Sequence, residues 1–146
     1  MRVREAMQPT WGLDAEVTLD GVVDAMETTG CETLPIVGHP NGELVVHQLV
    51  SVRDLPKLKR AQDLAERGHA LGSTVLELLA ALGRAASRFP TIGPEATLVD
   101  AWGLMSEEAV PHVPVVDEDE VVGMLSLVVT FNEFPYRTPA AGFWPM

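Results

Sequence analysis

Two stretches of this sequence share the same residue pattern, and this repeat restricts the possible folds more than any other feature. Residues 15–38 align with residues 94–117 without a gap. A long-range repeat of this kind predicts a structural unit that is built twice. The identical residues that the alignment places opposite each other include Thr18 and Thr97, Leu19 and Leu98, Met26 and Met105, and Pro35 and Pro114.

Each copy begins with a pattern that is typical of an amphipathic helix. Thr18 and Thr97 are good N-cap residues, because their hydroxyls can accept hydrogen bonds from the free amides of a first helical turn. The apolar residues that follow recur at i, i+3, i+4 and i+7, which is the spacing of one helix face. They are Leu19, Val22, Val23 and Met26 in the first copy, and Leu98, Ala101, Trp102 and Met105 in the second.

A β-hairpin is predicted after each helix, because short apolar strands follow it in pairs. In the first copy, Asn41-Gly42 predicts a tight turn. In the second copy, the acidic stretch 117–120 predicts a solvated turn, which is a better interpretation than a weak cation site. The outgoing strands are residues 34–37 and 113–116, and the return strands are residues 44–50 and 121–125.

Two further helices and two short strands complete the unit. One helix is predicted from Ser51 to Arg67 with a break near Pro56, and another over residues 73–82, ending at Gly83. Short strands precede the repeat helices near residues 12–13 and 89–92. The unit is therefore strand–helix–strand–strand–helix, used twice. We predict an α/β fold in which the two halves bury their sheet faces against each other.

The net charge of −11 over 146 residues argues against two classes of partner. Nucleic acids and anionic membrane surfaces both require a cationic protein surface. No apolar run reaches the roughly 20 residues that span a membrane. The first residues lack the apolar stretch of a secretory signal, and the single cysteine, Cys31, excludes an internal disulfide. A cytoplasmic location is therefore expected.

The order and duplication of these motifs resemble a tandem pair of CBS (cystathionine-β-synthase-type) motifs, also called a Bateman module. The resemblance implies an α/β fold of two β-α-β-β-α motifs packed with pseudo-twofold symmetry. Residues 1–68 would be the first motif, residues 69–134 the second, and residues 135–146 an aromatic and proline-rich tail. The matching segments are Val3-Arg4-Glu5-Ala6-Met7, the Thr-Leu helix starts, the strands 34–37 and 113–116, Gly42 and Val122-Gly123 in the hairpins, and Ser51-Val52-Arg53-Asp54-Leu55.

The resemblance implies a regulatory module that binds an adenosine-containing ligand, such as AMP, ADP, ATP or S-adenosylmethionine, between the two motifs. In similar modules the hydroxyl and carboxylate at the positions of Ser51 and Asp54 contact the ribose hydroxyls. A carboxylate can accept two hydrogen bonds from a vicinal diol, and charge-assisted bonds are the stronger kind. The alternative interpretation is that Ser51 and Asp54 only cap a helix.

Other ligand contacts follow from family position. The segments Gly12-Leu13 and Leu34-Pro35 would flank an adenine. Arg53 would contact phosphates, as would His112, whose position in related modules often holds a basic residue. The alternative for Arg53 and the basic residues that follow it is a solvated helix face. These basic residues are Arg53, Lys57, Lys59, Arg60 and Arg67.

The sequence departs from the family pattern at two positions. Gln48 replaces the glycine that precedes the hydroxyl of the first motif by three residues, and Val129 replaces the acidic residue of the second motif. These departures favour an alternative function, a ligand-free dimerisation or scaffold module with degenerate sites.

No catalytic or metal-binding function is expected. The sequence shows no nucleophile with a base and an orienting group, and no Cys/His pair at metal-ligand spacing. The resemblance implies a homodimer, and the chain has no effector domain of its own, so an effector protein is an expected partner. The aromatic tail either packs on the module or on a partner subunit, or forms a flexible terminus.

Overall fold

The computed structural model describes residues 1–68 and 73–127 of the chain. Val129 and the predicted tail therefore lie outside the described residues. The elements are α1 (Val3–Ala6), β1 (Gln8–Pro9), β2 (Leu13–Asp14), α2 (Leu19–Thr29), β3 (Thr33–Gly38), β4 (Val45–Ser51), a 3-10 helix (Val52–Asp54), α3 (Leu55–Arg67), α4 (Val75–Ala81), α5 (Leu98–Glu108), β5 (His112–Asp117) and β6 (Glu120–Ser126).

The two predicted repeat helices are confirmed as α2 and α5. Thr18 caps α2 by accepting a hydrogen bond from the Gly21 amide, and Thr97 caps α5 by accepting one from the Asp100 amide. Each helix buries three of the four residues that its periodicity predicts, but Val23 is only half-buried and Trp102 is 38% exposed. The buried residues are Leu19, Val22, Ala25 and Met26 in α2, and Leu98, Ala101 and Met105 in α5.

Both predicted hairpins form, but the tight turn lies in the second one. The strands β5 and β6 are joined by Glu118 and Asp119 alone, and both of these residues have positive φ. Primed two-residue turns require this backbone conformation. The first hairpin instead has a six-residue loop over residues 39–44. The prediction of a tight turn at Asn41-Gly42 is therefore wrong. Pro40 explains the longer loop, because proline has no amide to donate to the ladder.

The hairpin loops of the two repeats touch each other. The Leu44 amide donates a hydrogen bond of 2.8 Å to Oδ1 of Asp119, and His39 Nε2 lies 3.7 Å from Oδ2 of the same carboxylate. Asp119, in the acidic stretch predicted as a turn, therefore joins the second hairpin to the first.

The predicted break at Pro56 is also wrong. The 3-10 helix Val52–Asp54 leads directly into α3, and Pro56 occupies the first turn of that helix. The first turn has no intrahelical acceptor for its amides, so the missing N–H of proline costs nothing there. Helix α3 therefore continues unbroken from Leu55, which keeps the preceding 3-10 helix in a fixed position.

The strands form two three-stranded sheets. One sheet has the order β2-β3-β4 and consists of first-repeat strands. The other has the order β1-β6-β5, in which β1 from the start of the chain pairs antiparallel with β6 of the second repeat. The predicted α/β class is confirmed, and the N-terminal segment crosses from one repeat to the other.

The helix that leads each repeat packs into the core of the opposite repeat. Val3 of α1 lies in the second core with Leu98 and Leu125. Val75 of α4 lies in the first core with Leu34. The division at residue 68 remains a prediction from the repeat, and core contacts cross it in both directions.

Candidate functional site

Asp54 is held at the point where β4 ends and the 3-10 helix begins. Its Oδ2 accepts hydrogen bonds from the amide of Ser51 at 2.8 Å and from the hydroxyl of Ser51 at 3.3 Å. These bonds fix the carboxylate and leave Oδ1 directed away from Ser51. The capping interpretation of Ser51 and Asp54 therefore accounts for Oδ2 of the carboxylate. The other oxygen, Oδ1, has a different partner.

That partner is Arg84, which the sequence did not indicate as a site residue. The guanidinium Nη1 of Arg84 donates to Oδ1 of Asp54 at 2.6 Å, and Nη2 donates to the carbonyl oxygen of Leu49 at 2.7 Å. The side chain of Asp54 is 15% exposed and that of Arg84 is 40% exposed. A partly buried, charge-assisted contact of this kind is stronger than an ordinary surface ion pair.

Gln48 connects the segment around Arg84 to β4. Its side-chain amide donates to the carbonyl oxygens of Arg84 and Ala85, at 3.4 and 3.2 Å. Its side-chain oxygen accepts from the Leu49 amide at 3.1 Å and lies 3.5 Å from Nη2 of Arg84. Gln48 is buried, so these contacts satisfy a polar group that would otherwise be costly. The residue that departs from the family pattern therefore holds the residue that contacts Asp54.

The structure places Gly12 between the two sheets. A Cβ at position 12 would lie 2.9 Å from Val37, which is in β3, and 3.3 Å from Val121, which is in β6. Earlier in the same segment, Pro9 pairs with Gly123 of β6. Gly12 therefore lies between a strand of the first repeat and a strand of the second, and its predicted contact with an adenine remains a prediction.

The remaining predicted adenine contacts are deeply buried. Leu13 and Leu34 both lie in the first core, and Pro35 is buried in β3. A contact of Leu13 or Leu34 with a ligand would therefore come from the backbone. Arg53 is exposed on the 3-10 helix. The basic side chains of α3 are also exposed, and Lys59 among them pairs with Asp63. This exposure favours the interpretation of a solvated helix face.

The second half-site has the glycine that the first lacks. Gly123 lies under Met7, and a Cβ at position 123 would be 2.5 Å from the Met7 sulfur. Ser126 pairs with His112 across the hairpin. Nearby, the Thr10 hydroxyl is buried and has no hydrogen-bond partner among the described residues. Sequence periodicity gave no sign of Thr10, whose amide donates to the carbonyl oxygen of Val122 in β6 at 3.3 Å.

His112 lies close enough to Glu32 of the first repeat to be influenced by its charge. Burial lowers the pKa of His112 below its usual value, and the Glu32 carboxylate partly opposes this effect. Because the backbone of Glu32 accepts a hydrogen bond from the Val52 amide, His112 is on the side of the second repeat that faces the 3-10 helix. Its predicted role as a phosphate contact remains a prediction.

We expect the free energy of unfolding to fall as the pH drops below about 6.5, the usual pKa of histidine. The unfolded chain takes up a proton at His112 there, whereas the folded chain resists it, so acid favours the unfolded state. Denaturant unfolding at pH 7.5 and 5.5 should show a smaller loss of stability for His112→Gln than for the wild type. His47→Gln, which removes a histidine from β4, is the control. If His112→Gln and His47→Gln reduced the acid-induced loss of stability equally, the assignment of this loss to His112 would be contradicted.

The described residues contain no group of three or more His, Cys, Asp or Glu side chains arranged to hold a metal ion. Within residues 1–68 and 73–127, no helix combines the length and apolar character needed to cross a membrane.

Comparison with known proteins identifies the second repeat and the fold. Residues 82–128 match the family model described as CBS domain. No curated protein matches the sequence. Among solved structures, CBSX2 in complex with AMP superposes with a TM-score of 0.56 at 21% identity, and the match covers 90% of this chain and 93% of that chain.

Two other solved structures give similar matches. The CBS domain pair of protein MJ0100, in complex with 5′-methylthioadenosine and S-adenosyl-L-methionine, has a TM-score of 0.58 at 19% identity, covering 90% of this chain and 94% of that chain. The CBS domain of the bacterial CNNM/CorC family Mg²⁺ transporter, in complex with ATP, has a TM-score of 0.60 at 18% identity, covering 91% and 86%.

Proposed function

Because this chain has the fold of a tandem CBS pair, we propose that it is a non-catalytic regulatory module that binds an adenosine-containing ligand between its two motifs. The proposed ligands are AMP, ADP, ATP, S-adenosylmethionine or a related compound. Structures of the same fold hold such molecules: AMP in CBSX2 and ATP in the CNNM/CorC family domain. We further propose that the module acts in the cytoplasm.

The observation that carries the proposal is the position of the Asp54 carboxylate. Ser51 fixes one of its oxygens, and the other accepts from Arg84, which follows the leading helix α4 of the second repeat. A ribose diol that replaced this donor would supply hydroxyl hydrogens to a fixed, partly buried anion, which is a strong type of hydrogen bond. The acceptor for a ribose is therefore already oriented.

A ligand bound at Asp54 and Arg84 would touch both repeats, because Ser51 and Asp54 belong to the first and Arg84 belongs to the second, just after its leading helix α4. A ligand that binds one packing arrangement of the two repeats more tightly than another shifts the equilibrium toward the arrangement that it prefers. We propose that this shift is passed on through a homodimer or to an effector protein.

The alternative function is a ligand-free dimerisation or scaffold module. One observation favours it: the ion pair between Arg84 and Asp54 already satisfies the carboxylate oxygen that a ribose would use. A permanent ion pair would leave the first half-site structural, and the module would then act only through its association with other chains.

A thermal-shift experiment with AMP, ADP, ATP, S-adenosylmethionine, NAD and cyclic dinucleotides separates the two functions. A ligand present at 100 times its dissociation constant stabilises the folded state by about 2.7 kcal/mol. We expect at least one compound to raise the melting temperature of the wild type, and Asp54→Ala to abolish the increase. The absence of a shift with every compound would support the scaffold function.

Asp63→Ala is the matched control, since it removes the same charge from an exposed position on the neighbouring helix α3. The ligand-induced shift should persist in this variant. Loss of the shift in both variants would point to a general effect of charge and contradict a specific role for Asp54.

A further inference from the structure

The segment that carries Arg84 is an insertion relative to the start of the chain. Val3 and Val75 are equivalent residues of the two leading helices. The Val3 amide donates to the carbonyl oxygen of Ala96, the residue before one N-cap threonine, and the Val75 amide donates to that of Val17, before the other. The two distances are 2.8 and 2.9 Å. This equivalence fixes where the comparison between the repeats begins.

Leu13 and Ile92 fix where the comparison ends. Leu13 pairs in parallel with Ile36, and Ile92 forms a parallel bridge with Val115, at equivalent positions of the central strands. The chain takes 10 positions from Val3 to Leu13 in the first repeat, and 17 positions from Val75 to Ile92 in the second. The second repeat therefore has seven additional residues between Val75 and Ile92, three of which make α4 longer than α1.

The additional residues turn back sharply at the end of α4. Gly83 has a φ of 88°, which places it in the left-handed region. The Gly83 amide donates to the carbonyl oxygen of Ala80, and the Arg84 amide donates to that of Leu79. These two bonds form a Schellman motif, which closes the helix and reverses the chain. The reversal directs Arg84 toward β4 and Asp54.

Gln48 and the insertion fit each other. Gly123 of the second repeat is equivalent to Gln48, and its lack of a side chain allows Met7 and Gln8 to lie in contact with β6. At position 48 a long side chain fills this space and hydrogen-bonds the inserted residues instead. Arg84 is thus held at its backbone by Gln48 and at its guanidinium by Asp54 and Leu49.

A ribose can reach Oδ1 of Asp54 only after the guanidinium has moved. Displacement leaves Arg84 without its carboxylate. An uncharged nucleoside offers no replacement anion for the released guanidinium. A phosphate group accepts two parallel hydrogen bonds from arginine and restores a charge pair.

Building on the proposed function, we propose that Arg84 is a specificity-determining residue that selects phosphorylated adenosine ligands over uncharged ones. Arg84 competes with the ribose for Asp54 when the ligand lacks phosphate, and it contacts the phosphate when the ligand has one. The selection therefore arises from one side chain that exchanges one anionic partner for another.

The test is isothermal titration calorimetry of ADP and adenosine with the full chain, in the wild type and in Arg84→Ala. We expect the wild type to bind ADP at least about tenfold more tightly than adenosine, a difference of about 1.4 kcal/mol. In Arg84→Ala, adenosine binding should strengthen and ADP binding should weaken, so that the ratio of the two affinities falls severalfold. Arg84→Gln keeps a hydrogen-bonding side chain and should show the same change if Arg84→Ala folds poorly.

Arg88→Ala is the control, because it removes the same charge from an exposed position four residues away. An equal fall of the ratio in Arg88→Ala would overturn the proposal. An unchanged ratio in Arg84→Ala, with both ligands still dependent on Asp54, would also overturn it while leaving the proposed function intact. Failure of the wild type and every variant to bind either compound would overturn this proposal, and the proposed function would be rejected with it only if no compound of the thermal-shift panel stabilised the protein.

Discussion

Replacing Leu58 by alanine is expected to lower the free energy of unfolding by roughly 2–5 kcal/mol, the usual cost of a large-to-small change in a packed core. Leu58 is fully buried, and it packs in the first core together with Leu34 and Val75. It anchors α3, the helix that continues directly from Asp54. Because small domains are stable by only about 5–15 kcal/mol in total, this one change should remove a large part of the stability.

Leu64→Ala is the control for this prediction, since it makes the same chemical change on the same helix. Leu64 is 59% exposed, and surface substitutions of this type usually change stability by less than about 0.5 kcal/mol. Urea unfolding followed by circular dichroism measures both variants. Equal effects of the two substitutions would contradict the packing of α3 described above.

The second large effect is expected for Gly123→Ala. The added Cβ would lie 2.5 Å from the sulfur of Met7 and 3.1 Å from the backbone oxygen of Gln8. The Met7 side chain can rotate, but Gln8 is paired with β6 and cannot move freely. We expect a loss of roughly 1–3 kcal/mol, which is typical of an overpacked site, measured by urea unfolding.

The same change at another glycine, Gly103→Ala, is expected to raise the stability of the protein. Gly103 lies within α5, and a Cβ there would meet no atom within 4 Å. Alanine is favoured over glycine in a helix by about 0.8–1 kcal/mol, so this variant should be more stable than the wild type. A neutral Gly123→Ala would show that the segment from Met7 to Pro9 does not lie against β6.

The elements that are specified locally could be predicted from the sequence. Thr18 and Thr97 mark the starts of α2 and α5 because capping depends on residues within one helical turn. The strand pairs follow from short apolar runs of the same kind. The repeat also predicts that the two halves share one architecture, since identical patterns fold alike.

The exchange of leading helices could not be predicted in this way. Val3 has the same local pattern whether it packs in the first core or the second, and only tertiary contacts decide between them. The acidic stretch 117–120 predicted a turn, but not that it would be the tighter of the two, because Glu118 and Asp119 adopt positive φ without glycine or asparagine.

Arg84 was missed for a different reason. A single arginine after a helix is typical of a solvated surface, and nothing in its neighbours distinguishes it. Two signals were present in the sequence: Gln48 in place of glycine, and the longer path from Val75 to Ile92. Each is unremarkable alone, and only the hydrogen bonds between Gln48 and residues 84–85 show that they belong together.

The exchanged leading helices also determine when this protein can fold as it leaves the ribosome. The first core needs Val75 and Leu79, so the whole of the first repeat emerges before that core can close. The second core contains both Val3 and Leu125, which are 122 positions apart in the chain. We therefore expect the nascent chain to gain protease resistance in two steps, the first only after Leu79 and the second only after Leu125 has left the ribosome.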